Sequence, residues 1–314
     1  MQRVLSTTAL LGLLIATAAA FAITEHLKLV KSPVYGTIVS KTISPTCGCA
    51  RVRATISVRL RKGDDVTLTI RDRSGQVVDT LANSEYVPRG RHTWVWNGKN
   101  KFGELPPDGI YKPEIHLAAE HRTILLPNPI SLDTKPPRVV GIKVSRAFLS
   151  PDGDKRGDVV VIHYTFDSPA HAVVYLGSDR VLYSRSHKPQ GNVVWRGRDA
   201  AGAPLPAGTY VLWVGGVDVA GNVTPALDRQ PVILQVRYIQ LPAGPIVVHK
   251  AGSLFTVAVG TDAKRYWWKL GARHGVASVP VLKLRAPKRP GTYRLAVGER
   301  TYTARAQVVV GTAK

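Results

Sequence analysis

Three carboxylates crowd into S-P-D-G-D-K-R-G-D, residues 150–158: Asp152, Asp154 and Asp158. A hard cation such as Ca²⁺ takes several oxygen ligands from a bent, glycine-containing backbone, so this loop is a candidate calcium site. The competing reading is a capped turn, in which the carboxylates accept loop N–H groups while Lys155 and Arg156 offset their charge. The only cysteines, Cys47 and Cys49, stand in T-C-G-C. Three states suit them: a tight Cys-x-Cys disulfide, which so short a loop strains; two free thiols; or a soft-metal site still short of two ligands, no histidine lying near. A third group, K-R-Y-W-W-K, interleaves rings with cations: Lys264, Arg265, Tyr266, Trp267, Trp268 and Lys269. Stacking rings beside cations suit an anionic glycan or single-stranded nucleic acid. Neighbours on a strand point to opposite faces, so at most one of Trp267 and Trp268 faces a core. The competing picture has one core Trp, one Trp covering a hairpin, and a solvated basic rim.

Little else suggests chemistry. The nine histidines do not cluster; His116 and His121 read as a solvated strand edge, and His163, inside an apolar run, as a core histidine. No G-x-S-x-G, P-loop or H-E-x-x-H occurs. Catalytic triads can be dispersed, so a secreted hydrolase with accessory domains stays as an alternative. It would need a catalytic domain larger than the chain has left once its sandwiches are assigned, and the sequence points to a non-enzymatic protein.

These groups must be positioned by β-structure. The segment W-N-G-K-N-K-F-G-E-L-P-P-D-G-I-Y, 96–111, returns 99 residues later as W-R-G-R-D-A-A-G-A-P-L-P-A-G-T-Y, 195–210. Trp96, Gly98, Gly103, Gly109 and Tyr111 thus match Trp195, Gly197, Gly202, Gly208 and Tyr210, an internal repeat. Gly98/Gly197 and Gly103/Gly202 suit turn positions with positive φ. The Gly-x-Tyr opening the next strand is what a tyrosine corner needs, its hydroxyl bonding back to the loop. Ser44-Pro45 matches Ser150-Pro151, so T-C-G-C occupies the place of the acidic loop.

The repeat resembles the immunoglobulin-like domain of the flagellar hook-capping protein, the FlgD-type Ig family, whose members carry W-x-G-x-D-x-x-G-x-x-x-P-x-G-x-Y. The second copy fits more fully, with Asp199 where the first has Asn100, and with D-V-A-G-N at Asp218 to Asn222 near its end. The resemblance implies tandem Ig-like folds used as spacers and binding modules; fold alone does not assign a function.

Alternation supports the same architecture. Val52, Ala54, Ile56, Val58 and Leu60 share one strand face, as do Val66, Leu68 and Ile70. About seven short strands per copy, with turns between and no helical period, make a sandwich. L-D-T-K-P-P, 132–137, resembles the joints between tandem bacterial Ig-like domains. Residues 237–314 lack the Trp-Gly motif but alternate, and R-P-G-T-Y offers a third corner at Tyr293. At the N-terminus, one Arg precedes an uncharged run from Val4 to Ile23. That is an export signal, either cleaved after Ala20-Phe21-Ala22 or retained as an anchor.

The expected organisation is all-β: 1–23 a hydrophobic helix serving as signal peptide or membrane anchor, 24–42 a tether, 43–134 and 135–236 FlgD-type Ig-like domains, and 237–314 a basic, divergent sandwich. Net charge is +22, and residues 237–314 hold fourteen Lys or Arg against two acids, a net +12. Such a field attracts polyanions. The expected function is an exported cell-surface structural or binding protein. Its basic C-terminal domain contacts an anionic envelope polymer or an envelope protein, and the N-terminal segment touches the membrane if uncleaved. No cofactor is expected apart from calcium at the acidic loop. Nucleic acid is the rival partner, favoured by charge and opposed by export.

Overall fold

The computed structural model describes residues 11–22 and 31–312. Residues 11–22 are helical, and the rest of the expected export segment lies outside the described residues. No helix among them is long and apolar enough to cross a membrane. Two compact units follow the chain, Met1–Thr134 and Lys135–Lys314.

In the first unit, the sheet Val34–Val39, Ala54–Leu60, Gly90–Trp96 faces a sheet built on Gly109–Leu117 and Asp64–Arg71. The alternation works as expected from Ala54 onward: Ala54, Ile56, Val58, Leu60, Val66, Leu68 and Ile70 are all buried in one core with Trp96. Val52 falls in the preceding turn. One assignment needs correction. Residues 34–39, expected within a tether, form an edge strand antiparallel to Ala54–Leu60. Gly36, at φ +58°, breaks its register between Tyr35 and Ile38. That irregularity hides the alternation from a sequence reading.

The second unit contains two cores, one around Trp195 and one around Leu295 and Val308. Its longest strand, Val160–Leu176, serves both faces of the first of these sandwiches. Its early half pairs with Val139–Val144 and Lys188–Trp195, and its late half with Asp179–Tyr183 and Gly208–Val217. The register breaks between Thr165 and Ala170, where Ser168-Pro169 bends the chain from one sheet to the other. The apolar run is therefore buried on one face only, and His163 is exposed rather than in the core.

Residues 237–314 form a five-stranded sheet in the order Ile246–Val248, Tyr302–Val310, Gly291–Glu299, Tyr266–Leu270, Arg273–Ala277, with a separate pair Leu254–Ala258 and Val281–Arg285. A parallel pairing of an early strand with the last one occurs three times: Thr42–Ile43 with Ile130–Leu132, Phe148–Leu149 with Gln230–Val236, and Ile246–Val248 with Tyr302–Val310. The third sandwich thus shares this closure although its sequence lacks the tryptophan motif.

Candidate functional site

The repeated motif is structural, and its parts hold one another. Trp96 and Trp195 are fully buried and donate Nε1–H to Lys99 O at 2.8 Å and Arg198 O at 3.1 Å. Gly98 and Gly197 have φ of +77° and +64°. Asn100 and Asp199 use Oδ1 to accept N–H groups of the turn that follows. Gly103 and Gly202, at +81° and +83°, close it. Gly109 and Gly208 open the strands that carry Tyr111 and Tyr210. Tyr111 donates to Pro107 O at 2.5 Å, Tyr210 to Pro206 O at 2.9 Å, and Tyr293 to Arg289 O at 2.8 Å. One corner, reaching back four residues, recurs in all three sandwiches.

Cys47 and Cys49 are joined by a disulfide, with Cα atoms 5.2 Å apart. It closes the first sandwich's loop at the place where the second carries its carboxylates.

In that second loop the carboxylates first do the work of a cap. Asp152 accepts Ser150 Oγ at 2.9 Å and Asp154 N at 3.0 Å; Asp154 accepts Arg156 N at 2.6 Å. Asp158 takes Gly153 N and Lys155 N, both at 2.8 Å. Such Asx-type bonds hold the loop through the positive φ of Gly153, Lys155 and Gly157. The turn-capping reading accounts for one lone pair on each oxygen that accepts. It does not account for what lies opposite.

Asp262 and Glu299, from the third sandwich, meet Asp152 there. Oxygens of Asp152, Asp262 and Glu299 lie within 4.8 Å of one another, as do those of Asp152, Asp154 and Asp158. Glu299 extends the inward row Leu295, Val297 of its strand and is 6% exposed; its Oε2 accepts Thr261 Oγ1 at 3.0 Å. Burial, then the charge of Asp152, pushes Glu299 up to about 7. Asp152 and Asp262 are also raised, in each case by burial first and by neighbouring carboxylates besides. Ser150 has one proton to give, and it goes to Asp152. A sequence reading reaches only the loop half of this cluster, since Asp262 and Glu299 are more than 100 residues away in the chain. Their one signal is compositional: they are the only acids in residues 237–314.

The K-R-Y-W-W-K stretch splits by parity. Tyr266 and Leu270 are buried, Trp268 packs partly against the core, and Trp267 and Lys269 face out. Each indole lies over a cross-strand glycine, Trp267 on Gly298 and Trp268 on Gly275. Trp267 remains 38% exposed. The register places Lys269 beside Ala296 and Ala296 beside Arg305, with Arg294 two residues along the middle strand. Lys269, Arg294 and Arg305 are exposed. Lys264 and Arg265 lie elsewhere, with Arg300 on the rim of the groove that holds Asp154 and Glu299. The sequence stretch is thus not one surface: its second half belongs to a sheet face and its first half to the rim of the acidic cluster.

Among solved structures, the I9–I11 tandem of titin aligns at 12% identity over 89% of this chain and 100% of that one, with a TM-score of 0.33. FlgD from P. aeruginosa aligns at 18% identity over 43% of this chain and 89% of that one, TM-score 0.24. A bacterial ice-binding adhesin aligns at 11%, over 91% and 100%, TM-score 0.29. No curated protein matches the chain. Residues 44–120 match the family model of the FlgD Ig-like domain, so the first sandwich of this chain carries that domain.

Proposed function

We propose that the chain is an exported, non-enzymatic protein in which Ig-like sandwiches act as spacers and the outer face of the C-terminal sheet binds an anionic envelope polymer. The observation that carries this reading is the distribution of charge in residues 237–314. Trp267, Lys269, Arg294 and Arg305 share one sheet face, while both acids of the domain are turned away from it into the acidic cluster. A ring flanked by unopposed cations on a rigid sheet suits a chain of anionic sugar or phosphodiester units. Export is supported by the uncharged run Val4 to Ile23.

The test is co-sedimentation of the full chain with purified cell envelope across a salt series, beside a variant carrying Lys269→Ala, Arg294→Ala and Arg305→Ala. With about 1 kcal/mol per cation near an anionic surface, the variant should bind on the order of 100-fold more weakly and lose most of the salt dependence. Equal binding by both proteins would refute the assignment of this face. Tighter, steeply salt-dependent binding to DNA than to envelope would move the function to nucleic acid.

A further inference from the structure

The most basic part of the chain turns its only two negative side chains inward, Glu299 buried and Asp262 half-buried. Asp262 and Glu299 stand against fourteen Lys and Arg in residues 237–314, and the fold brings both to Asp152 of the neighbouring sandwich. Neither pairs with a cation: Lys62–Glu120 and Arg71–Glu114, both in the first unit, are ion pairs that leave Asp262 and Glu299 aside. Both carboxylate oxygens of Asp262 are buried without a hydrogen-bond partner, with Gly157 packed so close that an added Cβ would come within 2.3 Å of Oδ2. Buried charge is retained where it is paired or coordinates a metal. Here hydrogen bonds satisfy the loop side and the unpartnered carboxylate enters from the other side; Arg146 lies beside Gly157 and Lys264, Arg265 and Arg300 line the outer rim, but none of them makes an ion pair with the cluster.

The ligand type selects the ion. Every candidate donor is a carboxylate oxygen, with no His or Cys, which excludes the N/S preference of zinc and favours a hard cation. Two overlapping trios sharing Asp152 offer more oxygens than Mg²⁺ uses from a protein, since it keeps several waters in strict octahedral geometry, whereas Ca²⁺ accepts six to eight flexibly arranged oxygens. We propose that Asp152, Asp262 and Glu299, with Asp154 and Asp158 on the loop side, bind a Ca²⁺ ion that ties the sandwich of residues 135–236 to that of residues 237–314. The ion neutralises a cluster that otherwise repels itself across the join, and so strengthens the hold of one sandwich on the other.

The experiment is calcium titration of the full chain by calorimetry and thermal unfolding, after treatment with chelator. Binding with Kd on the order of 10⁻⁴ M is expected, with Tm rising by roughly 5–10 °C at a hundredfold excess over Kd. Mg²⁺ at equal concentration should give a much smaller shift. Asp262→Asn and Glu299→Gln should abolish the response, yet in chelator at about pH 8.5, where the cluster is ionised, they should melt at or above the wild-type temperature, because each removes a repelling charge. A purely structural role predicts the opposite sign in chelator. Should either variant fold poorly, Asp154→Asn, in which the amide oxygen can still accept Arg156 N–H, should keep the fold and weaken binding about tenfold. No heat and no Tm shift in the wild type up to 10 mM, about a hundredfold above that Kd, would overturn the proposal. So would an equal response to Mg²⁺, or a calcium response undiminished in all three variants.

Discussion

Tyr238 and Tyr302 stack with ring centroids 3.9 Å apart and planes 12° from parallel. Tyr238 sits just past the last strand of one sandwich and donates its hydroxyl to Leu205 O of that sandwich at 2.7 Å; Tyr302 opens the last strand of the next. Burial, followed by the neighbouring Tyr302 hydroxyl, raises the Tyr238 hydroxyl well above its ordinary value, so it stays a donor. The join therefore has an aromatic clamp beside its acidic cluster. Tyr238→Phe removes only the hydrogen bond and should cost about 1 kcal/mol. Tyr238→Ala also removes the stack and the buried ring, and should cost about 3 kcal/mol. Urea unfolding monitored by fluorescence checks this; equal losses in the two variants would mean that the stack contributes nothing.

The paired glycines of the repeated motif should differ in their sensitivity. A Cβ at Gly98 would meet Pro45 Cγ at 2.3 Å, and one at Gly197 would meet Pro151 Cγ at 2.9 Å. At Gly103 and Gly202 an added Cβ meets nothing within 4 Å. All four have positive φ, so each alanine costs about 1 kcal/mol for the backbone. Only the first pair adds a clash with a ring that cannot swing away, bringing the cost to about 3 kcal/mol. Thermal unfolding of the four single Gly→Ala variants should rank 98 and 197 well below 103 and 202.

The contrast shows what a sequence can and cannot disclose here. The tyrosine corners were legible because donor and acceptor are four residues apart, and the sandwich because its strands alternate from Ala54 onward. Pro33, Gly36 and a register break hide the alternation of the strand Val34–Val39. Trp267 and Trp268 were separable by parity, but which one faced the core depended on register with Gly298 and Gly275. The acidic cluster was half legible. Asp152, Asp154 and Asp158 form a local motif, whereas Asp262 and Glu299 reach it only through the docking of one sandwich on another, which no spacing encodes.

Acid should act on the turn at Asp72 in a defined direction. Ser74 Oγ donates to Asp72 Oδ1 at 2.7 Å and Gln76 N to the same oxygen at 2.9 Å. The Ser74 hydroxyl foremost, opposed in part by burial and helped by the Gln76, Ser74 and Gly75 N–H groups, lowers the carboxyl from its ordinary 3.8. A depressed carboxyl stabilises the fold above its unfolded value, and that stabilisation is lost as pH falls through the folded value. Asp72→Ala should therefore melt below the wild type at pH 7, with the gap closing once the pH drops below the folded value. A gap that is unchanged in acid would show that the ionised form plays no part.

Gly298 gives a handle on the proposed binding face that leaves its charges in place. A Cβ there would lie 2.2 Å from Trp267 Cζ2 and 2.3 Å from Cε2. Unlike the prolines behind Gly98 and Gly197, this ring is on the outside and 38% exposed, so it can rotate away from the sheet. Gly298→Ala should therefore cost under about 1 kcal/mol, while raising the accessibility of one tryptophan to iodide quenching. If the polymer stacks on the ring in the position it holds over Gly298, the variant should also bind purified envelope severalfold more weakly, its salt dependence unchanged because Lys269, Arg294 and Arg305 are untouched. Greater quenching with unaltered envelope binding would place the recognition in the cations alone.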